Sequence, residues 1–107
     1  MKRGEIWLVA GGVYASKPRP ALIVQDDRFD TDSVTVCPLT TTAVEAPLMR
    51  LPVPADETSG IHRPSFVMLD KLTTVRRTNV TERVGRLDAI QITEFERRLI
   101  VFLGLAG

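Results

Sequence analysis

Apolar residues in this chain recur first at strand-like intervals and then, near the end, at helical ones. Ile6, Trp7, Leu8 and Val9 predict a first strand over Glu5 to Ala10, stopped by Gly11-Gly12, with a loop running through Tyr14 to Pro18. A second strand is predicted from Pro20 to Gln25, a turn across Asp26 to Asp32, and a third strand from Ser33 to Thr41. After a polar break from Thr41 to Pro47, the proline-interrupted stretch Leu48 to Val53 suits a short edge strand. A loop from Asp56 to Arg63 leads to a strong strand over Pro64 to Lys71, and Val80 to Arg86 adds a last short one. The period then changes. Asp88 is placed as an N-cap, with Gln91 completing a capping box and Leu87 stapled against Ile92. Ile92, Phe95, Leu99 and Phe102 form one helical face that stops near Gly104. Thr93 with Glu96 offers a second start one turn later. Short strands followed by one terminal helix predict a mainly β fold, a small antiparallel barrel closed by a C-terminal helix. At 107 residues the chain is one domain, 1–107.

Charge changes this picture only locally. The formal net charge of +1 argues against a protein that coats nucleic acid through bulk charge. Asp26, Asp27, Asp30 and Asp32 nevertheless cluster early, and Arg76, Arg77, Arg83 and Arg86 late. The aspartates lack the glycine and late glutamate of an EF-hand loop and read as turn residues bonding their own backbone. Cys37 is the one cysteine, inside an apolar strand, so it reads as a buried inert thiol without disulfide or metal chemistry. No metal site and no cofactor are expected. The N-terminus has no apolar signal core and no apolar run reaches membrane-spanning length, so a cytoplasmic protein is expected, without membrane contact.

Candidate chemistry sits at two strand ends. Arg19 lies between Pro18 and Pro20, which hold its backbone extended. Thr40 leaves the run Val34-Thr35-Val36-Cys37-Pro38-Leu39 where it meets a polar loop. A held guanidinium and a strand-end hydroxyl suit a site that handles phosphate. An arginine at a strand edge also pairs structurally with carboxylates, and threonine is an ordinary strand residue, so the residues alone leave both roles open.

The order of five segments adds to this. Lys2-Arg3-Gly4-Glu5-Ile6-Trp7, Arg19-Pro20, Leu39-Thr40, Val67 to Thr74, and Gly85-Arg86-Leu87 through Leu103-Gly104-Leu105 together resemble the MazF/PemK (Kid) family of toxin endoribonucleases. The resemblance covers nearly the whole chain. It implies an SH3-like barrel, a homodimer, and metal-independent, sequence-specific cleavage of single-stranded RNA. It also implies inhibition by a small antitoxin, MazE-like, whose acidic C-terminal segment lies across the RNA groove. The family's catalytic arginine falls on Arg19 and its catalytic threonine on Thr40. Some members carry an arginine and an aspartate after the Leu-Asp strand; here Thr73 and Arg76 stand there. The loop from Gly11 to Pro18 is also shorter than in many relatives.

RNA contacts are expected from Tyr14, Lys17, Thr41, His62, Arg63, Thr73, Thr74, Arg76 and Arg77, with Tyr14 stacking on a base and the cations meeting phosphates. His62, the one histidine, is the natural base near neutral pH but reads more simply as a loop residue. Asp70 reads as a loop anchor and Trp7 as core or dimer interface. The rival reading is a gyrase-poisoning toxin of the same fold, CcdB-like and without catalysis. Its aromatic C-terminus is missing from Leu103-Gly104-Leu105-Ala106-Gly107.

Overall fold

The computed structural model describes residues 1–11 and 15–105. Among the described residues, seven antiparallel strands precede one α-helix: β1 Glu5–Gly11, β2 Ala15–Ile23, β3 Ser33–Thr40, β4 Arg50–Val53, β5 Ser65–Met68, β6 Thr73–Arg76, β7 Val80–Arg86 and α1 Ala89–Phe102. The path across the sheet is β4-β5-β3-β2-β1-β7, and β6 also pairs with β3. No helix among the described residues is long and apolar enough to cross a membrane.

Strand alternation loads both faces of this curled sheet. On β2, Leu22 joins one buried cluster and Ala21 and Ile23 the other; on β3, Cys37 and Leu39 oppose Val34 and Val36. The first cluster receives the helix. Phe95 is fully buried there, flanked by Ile92 and Leu99. Burying such a side chain contributes about 1.5–3 kcal/mol. The helix begins as the sequence predicts: the Asp88 side chain accepts from the Gln91 N–H at 2.8 Å, and the Gln91 side-chain oxygen accepts from the Asp88 N–H. It ends in a Schellman motif, with Gly104 at φ +74 and the Leu105 N–H on the Ile100 carbonyl. The later start is overturned, because the Thr93 hydroxyl bonds the Ala89 carbonyl inside the helix.

The barrel is partly open as a hydrogen-bonded sheet, since β4 and β7 end its path. The β4–β5 loop seals the gap by lying on β7. The Arg86 N–H reaches the Thr58 carbonyl at 2.9 Å. At Gly85 a Cβ would stand 2.2 Å from the Ser59 carbonyl oxygen, so only glycine lets the two backbones meet. Ser59, buried, locks the turn through its Oγ on the Pro54 carbonyl.

Several boundaries move. β2 begins at Ala15 rather than Pro20, so Arg19 lies within a strand instead of at its start. β1 and β2 pair Val9 with Arg19 but Gly11 with Ala15, leaving two extra residues on β2, and Lys17 and Pro18 fall in that bulge. Prolines are accommodated because β3 pairs with β2 only from Ala21 onward. The strand expected over Pro64 to Lys71 gives way after Met68 to a 3₁₀ turn, Leu69–Lys71. β6 is unpredicted: only Val75 of its four residues is buried, so its sequence carries little apolar signal.

Candidate active site

The β2–β3 register puts the two leading candidates at the same end of the strand pair. Its last pair is Ala21↔Pro38. Continued by two residues, the same register sets Arg19 opposite Thr40, and period-two alternation keeps both on the face of Ala21 and Pro38. There the two strands have parted, so both side chains stand at the mouth of a fork. Arg19 is exposed and Thr40 half-buried.

Local bonding fixes how Thr40 presents its hydroxyl. The Thr42 N–H donates to Thr40 Oγ1 at 3.1 Å. With one lone pair occupied, the hydroxyl proton is left to turn outward toward an acceptor. Arg19 is held differently. Among the described residues its guanidinium meets no carboxylate, whereas Arg3, Arg50, Arg83, Arg97 and Arg98 all do. An arginine lacking a carboxylate partner keeps its full charge for a ligand.

The other predicted contacts divide by position. Thr41 is exposed just past the end of β3, and Lys17 is exposed in the β2 bulge. His62 and Arg63 are exposed ahead of β5, whose Phe66 pairs with Thr40, so they lie at the same end of the sheet. Tyr14 lies outside the described residues. The β6 group lies elsewhere: Thr73, Thr74 and Arg76 pair with Val36, Thr35 and Ser33. At about 3.3 Å per residue, the seven steps from Ser33 to Thr40 span roughly 23 Å. Arg77 is also occupied, donating to the Thr31 carbonyl at 2.7 Å with Asp30 3.9 Å away. It braces the aspartate-rich turn. That turn bonds itself as expected, the Asp26 carboxylate accepting the Arg28 N–H, which holds the carboxyl below its ordinary range.

Asp70 pairs with Arg50 and so anchors the 3₁₀ turn to β4. Burial, with the Asp70 charge adding to it, pushes the Cys37 thiol up to about 12, so it stays protonated and inert. Trp7 packs on the second cluster and donates its ring N–H to Glu5 at 3.1 Å. Among the described residues no three acidic, histidine or cysteine side chains gather as metal ligands.

Sequence reasoning missed Phe66. It pairs with Thr40 on one side and Pro52 on the other, so the three share a face. The alternation in Ser65-Phe66-Val67-Met68 separates Phe66 from buried Val67, but only the register shows what it faces.

A curled antiparallel sheet that presents an arginine and a hydroxyl at one forked strand end defines a candidate phosphate-handling site. Residues 2–103 match the model of the family described as PemK-like, MazF-like toxin of type II toxin-antitoxin system, and the chain belongs to that family. It is 50% identical over 109 residues to a protein named "Probable endoribonuclease MazF" from Mycolicibacterium smegmatis, covering 100% of both chains. Among solved structures it resembles the Mycobacterium tuberculosis toxin MazF-mt6, with a TM-score of 0.80 and 26% identity over 94% of this chain and 96% of that one. The MazE-MazF structure from Deinococcus radiodurans shares the fold at a TM-score of 0.79 and 21% identity, over 97% and 95% of the two chains. Family membership puts the chain on the PemK/MazF side and does not favour the gyrase-poisoning rival.

Proposed function

We propose that this chain is a single-domain endoribonuclease toxin that cuts single-stranded RNA at the fork between β2 and β3. The observation that carries the reading is the Ala21↔Pro38 pair, beyond which the β2 and β3 ends bearing Arg19 and Thr40 run out on the same side. Half identity over full length to a protein named as an endoribonuclease supports it. In this mechanism the substrate's 2′-oxygen bonds to phosphorus while its proton passes to a base. Arg19 grips the two non-bridging phosphorane oxygens through its planar fork, and the Thr40 hydroxyl donates to one of them. The P–O5′ bond then breaks and the 5′-oxygen takes up a proton. The products are a 2′,3′-cyclic phosphate and a free 5′-hydroxyl.

RNA on either side of the cut would meet the cations at this end of the sheet: Lys17, Arg63 and, beside them, Thr41 and His62. Thr73, Thr74 and Arg76 belong to a second stretch along β6, reached by a longer strand of RNA. The active unit is a homodimer in the cytoplasm, neutralised by a MazE-like antitoxin whose acidic segment mimics the RNA's charge.

The test is incubation of the purified protein with a long natural RNA in excess EDTA, followed by chemical mapping of the ends. Recurrent cuts bearing 2′,3′-cyclic phosphate and 5′-hydroxyl are expected. A requirement for added magnesium, or 5′-phosphate ends, would contradict the mechanism.

A further inference from the structure

A groove of about 470 Å³ opens beside Thr40, lined by residues 44–47 together with Arg50, Pro52, Phe66 and Arg98. Its position follows from the ladder: Phe66 is the direct cross-strand neighbour of Thr40, and Pro52 that of Phe66. Side chains so paired stand about 4.5–5.5 Å apart at Cβ. One face therefore runs from the hydroxyl of Thr40 to the half-buried ring of Phe66 and the ring of Pro52.

The two cations of this groove are already paired, while Glu45 lines it with a carboxylate that has no salt-bridge partner among the described residues. Arg50 is bonded to Asp70, and Arg98 to Glu94 at 2.6 Å and to the Arg50 carbonyl at 3.1 Å. Bonds from Arg97 and Arg98 hold the Glu94 carboxyl at about 2, so it stays charged and keeps its partners near neutral pH. The groove thus offers planar apolar surface without a spare cation, which suits a nucleobase and not a phosphate.

We propose that Phe66 is a stacking platform for one of the two nucleobases flanking the scissile phosphate, with Pro52 and the 44–47 segment forming the rest of the subsite. The inference rests on the reading of Arg19 and Thr40 as the cleavage site. It gives the enzyme a contact that fixes the phosphate's position through its own nucleotide, one strand away from the chemistry.

The probe is a short RNA spanning a mapped cut, made uncleavable by a 2′-deoxy sugar, with or without an abasic residue on either side. Phe66→Leu, which keeps the apolar bulk but removes the π-face, should bind the intact probe roughly ten- to hundred-fold more weakly. One of the two abasic probes should lose the same factor with the parent protein and lose nothing further with Phe66→Leu. Phe66→Trp should bind at least as well as the parent, and its indole emission should change on binding; because it needs no loss of volume, it serves if the leucine variant fails to fold. Equal binding by parent and leucine variant, abasic losses identical in both, or a silent indole would overturn the proposal. So would dimers that fall apart on Phe66→Leu without any coupling to the RNA base, which would make the groove a contact between copies. If the parent fails to cut RNA, or Thr40→Val cuts at the parental rate, the cleavage reading itself fails; cutting that needs Thr40 but ignores Phe66 sinks only this inference.

Discussion

The two ends of β3 carry arginines put to opposite uses. At its start, half-buried Arg77 is bonded to the Thr31 carbonyl and set near Asp30, and its own N–H closes on the Asp32 carbonyl at 2.8 Å. At its far end, Arg19 stands exposed across the fork from Thr40, without a carboxylate among the described residues. The first arginine braces a loop. The second keeps its charge and is ordered by backbone instead, flanked by two prolines and paired to Val9. The same residue type thus braces a loop at one end and stands exposed without a carboxylate partner among the described residues at the other.

That contrast breaks most visibly at Arg19. Arg19→Ala should fold normally and lose about 10²–10³ in cleavage rate, since the loss falls on transition-state charge. Arg19→Lys should recover only part of it, because a point charge cannot replace a two-pronged grip. A folded alanine variant cutting at the parental rate would end the assignment.

A smaller effect should follow at Thr42. Thr42→Pro removes the N–H that occupies Thr40 Oγ1, while Thr42→Ala keeps it. The proline variant should lower kcat by roughly one neutral hydrogen bond, on the order of fivefold to tenfold, with KM little changed and the alanine variant near the parent. Equal kcat in both variants would show that this bond does not orient the hydroxyl.

The smallest effect on cleavage belongs to Arg77. Arg77→Ala should leave the rate per folded molecule unchanged and lower thermal stability by about 1 kcal/mol or less, as for a partly exposed charged group. A cleavage loss as large as that of Arg19→Ala would return Arg77 to the site.

How far the sequence revealed this division can be argued from the same residues. Helix α1 was legible down to its capping box, because Asp88, Gln91 and the apolar stripe act over one or two turns. Arg19 and Thr40 were legible as candidates through their local settings and the family resemblance. Their convergence was not, because register is set by pairing between distant segments. Strand β6 was missed for a related reason. With only Val75 buried, its place beside β3 depends on backbone bonds, and its threonines and arginines then read as one loop charge cluster. Phe66 was hidden in plain sight: a strand residue whose neighbour across the ladder gives it meaning.

The central claim is that the fork between β2 and β3 makes the RNA's own 2′-hydroxyl the nucleophile. Two RNAs identical except for a 2′-deoxy sugar immediately 5′ of a mapped cut test it directly, with binding and cleavage measured on the same protein in excess EDTA. The account predicts equal binding within a few-fold, full cleavage of the ribose substrate and none of the deoxy one at that position. Cleavage of the deoxy substrate at a comparable rate would contradict it.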